Sequence, residues 1–281
     1  MTLTRSEIRQ LLDDAGIRPS RALGQNFVAD PNTVRRIAAL AELGAGHQVI
    51  EIGAGLGSLT TALAETGARV VAVELDRRLL ALLRAVVEPL GVQVAAGDAL
   101  RMDLAGLLGH GADEGAADAA SWSLVGNLPY NVAVPLVVRV LDHLPAVSDM
   151  LVMVQREVGE RLAAAVGSHA YGAVSVKVAY HASASVVGRV PPTVFVPRPR
   201  VESVLVRMVR RDCVAVSPDL VAPERLFSVV RAGFSQRRKM LRRSLAGVVP
   251  TSAFAASGIN ECARAEELSV EEWGRLAAWS V

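Results

Sequence analysis

The sequence predicts a doubly wound α/β fold with a mostly parallel sheet. Three observations support this prediction: short apolar runs alternate with helix-like segments, a glycine-rich turn joins one such run to a helix, and an acidic residue follows each of the next two runs. Repeated βα units of this kind form parallel sheets with right-handed crossovers. A chain of 281 residues can hold one such domain and a smaller second one.

The glycine-rich turn spans residues 53–57 (G-A-G-L-G), after an apolar strand and before a helix that starts near residue 59. Glycines let a backbone approach a ligand closely, and a helix N-terminus offers free N–H groups. The dinucleotide fingerprint G-x-G-x-x-G would need glycine at position 58, which is Ser58. The pattern G-x-G-x-G, with Glu51 two residues before it, favours S-adenosylmethionine over NAD.

Two further acids support a nucleotide-like ligand. Glu74 follows the apolar run 70–73, and Asp98 follows the run 92–94. The carboxyl ends of parallel strands share one edge of a sheet, and an acid about 20 residues past the glycines meets ribose hydroxyls there. A carboxylate accepts hydroxyl or amino donors. We therefore expect Glu74 at a ribose and Asp98 at an adenine.

The other elements follow from apolar periodicity and from helix-end signals. Asp30 is the predicted N-cap of a helix with Pro31 at its first position. Residues 171–181 fit a strand or a helix, and residues 109–120 are expected to form a mobile surface insertion. The remaining predicted helices cover 4–15, 30–43, 60–64, 76–88, 99–108, 134–144 and 155–166, and the later strands cover 123–126, 150–154, 186–190 and 201–209.

The pattern changes to short helices after residue 211. Predicted helices cover 223–234, 237–245 and 270–280, with a glycine-containing segment near residue 258. We therefore expect a Rossmann-like ligand-binding domain over residues 1–211 and a small all-helical domain over residues 212–281.

Charge is unevenly distributed along the chain. Residues 198–243 contain twelve Lys or Arg and four Asp or Glu, a local balance of +8 in a chain whose net charge is +2. Such asymmetry suggests an anionic polymer as partner, although a basic solvated surface would look the same in the sequence.

Composition excludes several other classes. The two cysteines, Cys213 and Cys262, are far apart, and the five histidines have no metal-ligand spacing, so we expect neither disulfides nor a metal. Residues 1–10 lack the apolar core of a signal peptide, and no apolar run approaches the roughly 20 residues of a membrane span. We expect a cytoplasmic chain, and nothing in its sequence demands an oligomer.

The segment Asn127-Leu128-Pro129-Tyr130 ends the fourth strand, at the edge where the acids lie. Its groups suit methylation of the amino group of a flipped base. The Asn127 side-chain oxygen and the Leu128 carbonyl can accept the two N–H bonds of that amine, and Pro129 restricts Leu128 to an extended conformation. Tyr130 offers a ring on which the base can stack. The alternative is an ordinary strand-ending turn.

With these motifs, the chain resembles the bacterial small-subunit rRNA adenine N6-dimethyltransferases. The resemblance runs from about residue 21 to residue 245 and more weakly to the C-terminus. Two departures are Ala54, where the family often has proline, and residues 132–134, where the family usually has hydroxyl side chains. The segments that carry the resemblance are residues 23–27, 51–57, 74–76, 97–99, 127–131, 155–158, 191–199 and 234–239.

The resemblance implies a site around S-adenosylmethionine, whose product is S-adenosylhomocysteine. Asn127 lies at the methyl-transfer position, and Phe195 matches a second aromatic that sandwiches the base with Tyr130, although Phe195 could instead be a buried loop anchor. The implied product is N6,N6-dimethyladenosine at two adjacent adenosines near the 3′ end of small-subunit rRNA, expected within a pre-30S particle. The implied cofactor-binding residues are Asn26, Val28, Gly53, Gly55, Glu74, Asp98 and Asn127.

A basic stretch in the second domain is the expected RNA contact. On one predicted helix, its residues would form a cationic stripe for phosphates, with Leu241 and Leu245 on the apolar side. The residues of this stripe are Arg237, Arg238, Lys239, Arg242 and Arg243.

Three alternatives remain. A large-subunit rRNA methyltransferase of the macrolide-resistance type shares the glycine turn and the Asn-x-Pro-Tyr motif, but the basic stretch and residues 191–199 favour the small-subunit type. A DNA adenine methyltransferase usually has an acidic residue or serine where Asn127 stands. An RNA-binding assembly factor without turnover is the non-enzymatic alternative.

Overall fold

The computed structural model describes residues 2–20, 22–109 and 121–279, so most of the expected insertion at 109–120 lies outside the described residues. The chain divides into two compact units. Met1–Gly159 and Val186–Val209 form the first, and Glu160–Ser185 and Arg210–Val281 form the second. The break near residue 210 lies close to the one expected at 211. Glu160–Ser185 also joins the second unit because its helix packs against later helices.

A seven-stranded, mostly parallel sheet is the centre of the first unit. The strands of this sheet are β2 (Gln48–Ile52), β3 (Arg69–Glu74), β4 (Gln93–Ala96), β5 (Trp122–Asn127), β6 (Val147–Gln155), β7 (Ala182–Val190) and β9 (Ser203–Arg210), and a separate two-stranded ribbon pairs β1 (Phe27–Val28) with β8 (Phe195–Val196). The order in the sheet is β4-β3-β2-β5-β6-β9-β7, in which β6 and β9 are antiparallel and the pairs among β2 to β6 are parallel. The expected mostly parallel α/β sheet is confirmed.

Twelve helices are assigned among the described residues. Asp30 caps the helix Pro31–Leu40 through Thr33 N, with Pro31 in its first turn, as expected. None of the described helices has the length and hydropathy needed to cross a bilayer. The helices are α1 (Arg5–Asp14), α2 (Pro31–Leu40), α3 (Ser58–Ala64), α4 (Leu80–Val87), α5 (Leu104–Gly109), α6 (Ala133–His143), α7 (Arg156–Leu162), α8 (Ala173–His181), α9 (Pro223–Ser235), α10 (Leu241–Ser244), α11 (Ser252–Ala256) and α12 (Val270–Ala277).

Parallel pairing brings the functional strand ends together. Ile52 pairs with Val73 at the end of β2, and the next residue of β3 is Glu74. On the other side of β2, β5 runs parallel to it and ends at Asn127. Buried Val, Ile and Leu side chains of α2, α3 and α4 pack with this sheet, each contributing about 1.5–3 kcal/mol to folding. A rigid core therefore holds the edge that carries the site.

Aromatic packing organises the second unit. Trp273 of α12 is fully buried, and its ring lies against the Cα of Gly233 on α9. The centroids of the Phe234 and Trp273 rings lie 5.9 Å apart, and the Tyr171 hydroxyl donates to Leu268 O at 3.0 Å. The ambiguous segment 171–181 is helical from Ala173, and Val176 and Tyr180 of α8 pack into this core.

One predicted helix of the second unit is wrong. Residues 236–239 form a turn, and α10 begins only at Leu241. The backbone N–H groups of Leu241 and Arg242 donate to Ala263 O and Glu261 O, at 2.8 and 3.0 Å. These long-range bonds take donors that one continuous helix would have used. Leu241 and Leu245 are nevertheless buried, as the apolar pattern predicted.

We expect Gly126→Ala to destabilise the first unit. A Cβ at this position would lie 2.6 Å from Ile52 O, a backbone atom of the neighbouring strand. Because the strand must shift, the free energy of unfolding should fall by about 1–3 kcal/mol, measured by urea unfolding with circular dichroism. Gly44→Ala is the control, since its nearest neighbour lies at 3.9 Å. Equal midpoints for the two variants would contradict the strand contact.

Candidate functional site

The glycine turn after β2 needs left-handed backbone at every alternate residue. Gly53, Gly55 and Gly57 have φ angles of +81°, +59° and +85°. A Cβ on Gly55 would lie 3.0 Å from the ring of Phe27, and a Cβ on Gly53 would lie 3.4 Å from Asn127 O. The three glycines therefore allow a tight turn that brings backbone close to both neighbours.

A cavity lies over this turn, bounded by residues 23–28, the ends of β2, β3 and β5, and residues 97–100. All seven residues that the sequence assigns to the cofactor line this cavity, so distant parts of the chain meet there as expected. They are Asn26, Val28, Gly53, Gly55, Glu74, Asp98 and Asn127.

Glu74 joins the end of β3 to the glycine turn. Its two carboxylate oxygens accept from Gly55 N at 2.7 Å and from Asp76 N at 2.8 Å. Burial raises the pKa of Glu74, while these backbone donors oppose the shift. A carboxylate has about four acceptor sites, so each oxygen retains capacity for a hydroxyl donor. At the next strand end, Asp98 accepts from Leu100 N at 2.9 Å.

Sequence reasoning used Glu51 only as part of the glycine pattern and gave its carboxyl group no role in the site. Glu51 lines the cavity, is 1% exposed, and its Oε2 has no hydrogen-bond partner among the described residues. Burial raises the pKa of Glu51 to about 8; the Thr60 hydroxyl opposes this shift, and the neighbouring Glu74 carboxylate adds to it. An acid inside an apolar strand was the available signal. At neutral pH this carboxyl is a buried, neutral group at the cavity wall.

The N-terminal segment is fastened over the cavity by side chains. Gln25 donates to Asp76 Oδ2 at 2.8 Å, and Arg78 pairs with the same carboxylate at 2.6 Å. Arg78 lowers the pKa of Asp76 to about 2, with the Gln25 amide adding to the effect. The segment is thus held by an acceptor that stays ionised throughout the ordinary pH range.

Of the two acceptors expected here, Asn127 ends β5 and lines the first cavity, whereas Leu128 is buried and lines neither cavity. Asn127 Nδ2 donates to Asn26 O at 2.8 Å, which leaves Oδ1 without a partner among the described residues. Leu128 donates its N–H to Met153 O at 3.0 Å, and no described donor uses its carbonyl. Pro129 O accepts from Val132 N and Ala133 N and so begins α6, which lacks a side-chain cap. The missing hydroxyls at 132–134 thus leave the start of α6 without a side-chain cap.

Tyr130 lines a second, more open cavity. Its hydroxyl lies 3.2 Å from Ser203 Oγ, and Ser203 is fully buried on β9. Burial raises the pKa of Tyr130, so the phenol is neutral at physiological pH. This cavity shares Gly24, Gln25 and Asn26 with the first one. A substrate group in the second cavity would therefore lie beside the first.

The position of Phe195 corrects its expected role. Its side chain is fully buried, packs in the core with Val28 and Leu205, and lines neither cavity. Its backbone pairs with Val28 in the two-stranded β1–β8 ribbon. The ring has no face open to a base, so Phe195 is the buried loop anchor that the sequence left as an alternative.

The basic stretch in the second unit is only partly available. Arg237 pairs with Glu266 at 3.0 Å and also donates to His169 O, and Arg242 pairs with Glu261 at 3.0 Å. The other three cations are exposed and have no partner among the described residues. The continuous stripe expected on one helix is thus replaced by a turn and a short helix. The three available cations are Arg238, Lys239 and Arg243.

No group of His, Cys, Asp or Glu in the described parts of the chain could hold a metal ion. Cys213 and Cys262 are exposed free thiols.

Comparison with known proteins gives consistent matches. The model of the family described as ribosomal RNA adenine dimethylase matches residues 18–280. The ribosomal RNA small subunit methyltransferase A of Cutibacterium acnes is 46% identical, covering 98% of this chain and 93% of that protein. The protein of the same name from Kineococcus radiotolerans is 45% identical, covering 98% and 91%.

Two solved structures share the architecture. A dimethyladenosine transferase from Plasmodium falciparum has a TM-score of 0.73 and 22% identity, over 88% of this chain and 94% of its own. The 23S rRNA methyltransferase ErmE has a TM-score of 0.69 and 25% identity, over 90% and 98%. The first likeness shows the fold of the chain.

Glu51 should make stability depend on pH. With a pKa near 8 when folded and 4.5 as the ordinary value, Glu51 keeps a proton in the folded protein that the unfolded chain releases between these values. Stability therefore falls as pH rises through this window and levels off above it. Relative to the wild type, Glu51→Gln should gain stability from pH 5 to pH 8, by at most about 1.4 kcal/mol for each step of one in pH.

Thermal and urea unfolding across this pH range measure the effect. Asn32→Ala, at an exposed position on α2, changes no ionisable group and is the control whose difference from the wild type should stay constant. A constant difference for Glu51→Gln as well would show that Glu51 is ionised in the folded protein.

Proposed function

Because the chain belongs to the ribosomal RNA adenine dimethylase family, we propose that it dimethylates N6 of two adjacent adenosines in the 3′-terminal hairpin loop of 16S rRNA. It is an S-adenosylmethionine-dependent rRNA adenine dimethyltransferase. The small-subunit target follows the names of its relatives and the basic stretch of the second unit. We place the reaction on an assembling small subunit in the cytoplasm, with a monomer as the acting species.

The first cavity fits S-adenosylmethionine in its chemistry. Gly53 and Gly55 line the cavity at the tight turn, where we assign the methionine part, and their positive φ angles allow that turn. Glu74 has acceptor capacity for the ribose hydroxyls, and Asp98 lies at the next strand end for the adenine. Asn26 and Val28 flank the bound molecule in this assignment. When bound, the cofactor supplies a methyl group already activated by its sulfonium.

The residues at the end of β5 compensate for the weak nucleophilicity of the adenine amine. An exocyclic amine is a weak nucleophile because its lone pair is delocalised into the purine ring. Asn127 Oδ1 and the Leu128 carbonyl accept its two N–H bonds, with Pro129 holding the turn. Positive charge that develops on the nitrogen then faces two fixed dipoles, a form of stabilisation that is commonly the largest in catalysis. Tyr130 provides the stacking surface for the base.

The observation that carries this proposal is the hydrogen bond from Asn127 Nδ2 to Asn26 O. By fixing the nitrogen of the amide, it commits the oxygen of a cavity-lining residue to the role of acceptor. An amide with free rotation would present donor and acceptor equally. The bond thereby selects an amine as the group to be held.

Methyl transfer to a large subunit is the second candidate, because the likeness to ErmE extends over 90% of this chain. The experiment uses radiolabelled S-adenosylmethionine with under-methylated small subunits, large-subunit RNA and duplex DNA. We expect label in N6,N6-dimethyladenosine on the small subunit alone. Label on large-subunit RNA alone would overturn the proposal, and no label on any substrate would favour a non-catalytic assembly factor.

Asn127→Ala should bind S-adenosylmethionine yet lose most turnover. Removing one preorganised acceptor or donor at a developing charge lowers kcat by about 10²–10³-fold. Single-turnover kinetics on small subunits and cofactor titration measure the two properties. Asn32→Ala, at an exposed position on α2, is the matched control. A near-normal rate for Asn127→Ala would remove Asn127 from this role.

Arg238→Glu with Lys239→Glu should weaken RNA binding while cofactor affinity stays unchanged. Both side chains are exposed and lack partners among the described residues, so phosphates are their natural counter-ions. Affinity should fall at least tenfold at low salt, and its salt dependence should become less steep. Arg237 is left in place because its ion pair with Glu266 supports the fold. Parallel losses of RNA and cofactor affinity would indicate misfolding instead.

A further inference from the structure

The second cavity has a lining suited to a nucleotide. Among its described lining residues there are amides, which can pair with base edges, one aromatic ring for stacking, two arginines and no carboxylate. An anionic strand therefore meets no repulsive group at this wall. The amides are Gln25, Asn26, Asn131 and Gln155, the ring is Tyr130, and the arginines are Arg198 and Arg200.

The two arginines are exposed and uncommitted. Neither has a hydrogen-bond or ion-pair partner among the described residues. The closest acid along the chain, Glu202, already pairs with Arg156 at 3.1 Å. Their charge is thus available to a partner, unlike that of Arg207, which pairs with two carboxylates.

The backbone of this segment limits the distance between the two arginines. Prolines at 197 and 199 flank Arg198 and limit its backbone, and the residue before a proline is driven to an extended conformation. Two extended residues span at most about 7 Å. This distance is comparable to that between successive phosphates of one nucleic-acid strand, so the two guanidinium groups can reach neighbouring phosphates.

We propose that Arg198 and Arg200 bind successive phosphates of the RNA strand that carries the target adenosine, while the second cavity holds the nucleotide itself. Arginine binds phosphate through two parallel N–H bonds, which fix direction as well as position. The two contacts set the register of the strand beside Tyr130. This inference rests on the proposed function, since it deepens the RNA-binding side of the same site.

The test compares two double variants. One carries Arg198→Gln and Arg200→Gln, and the control carries Arg9→Gln and Arg189→Gln. The control residues are exposed arginines of the first unit that line neither cavity. The probe is a short RNA hairpin with two adjacent adenosines in its loop, bound at several salt concentrations without methyl transfer. Methylation of under-methylated small subunits is measured separately, with cofactor affinity as the folding check.

For the double variant, log affinity should fall less steeply with log salt than for the wild type. The magnitude of the slope should be smaller by about 1–2, because two phosphate contacts are lost. The KM of this variant for RNA should rise at least tenfold, with kcat at saturating RNA within about twofold and cofactor affinity unchanged. A slope equal to that of the control, or a fall in kcat without a change in KM, would overturn the inference. Absence of methyl transfer by the wild type would defeat the proposed function, while the salt slopes still decide the role of the arginines.

Discussion

The site depends on one hydrogen bond that joins distant parts of the chain, from Asn127 Nδ2 to Asn26 O. The residues lie 101 positions apart, and each belongs to a different wall of the first cavity. The bond orients the amide and also holds the N-terminal segment to the end of β5. Gly24 strengthens this closure, because its lack of a side chain lets Pro129 pack against it. In the proposed function, this one contact therefore positions both the cofactor wall and the acceptor for the adenine amine.

Buried acids form the second constraint. Glu51 and Glu74 both line the first cavity, and burial raises the pKa of each. The two buried carboxyl groups differ in their hydrogen bonds. Glu74 accepts backbone N–H bonds, whereas Glu51 has an oxygen without a partner among the described residues. An unsatisfied buried group costs about 1–3 kcal/mol. A cationic amino group held in the cavity would favour ionised Glu51, which couples ligand binding to proton release. Sites that break local folding rules in this way are expected to be functional.

The sequence predicted the parallel sheet and the first cavity because both follow from local patterns. A strand, a glycine turn and a helix recur in order, and parallel topology then places Glu74, Asp98 and Asn127 at one edge. The failures have long-range causes. Burial of Phe195 depends on pairing with Val28, far earlier in the chain, and the break before α10 depends on carbonyls of residues 261 and 263. Neither contact leaves a periodic signal.

Long-range contacts also limit what the sequence says about the basic segment 198–243. A count of its charges overstates the number of cations that are free to bind phosphates. Arg207 pairs with Glu42 and Asp149, Arg237 with Glu266, and Arg242 with Glu261, all acids that lie outside residues 198–243. A local balance of +8 is therefore partly offset once the chain folds. Counter-ion release depends on cations that exchange small ions for phosphates, so a paired arginine contributes little to it. Under the proposed function, RNA is attracted by the unpaired cations that remain, and folding, rather than composition, decides which residues these are.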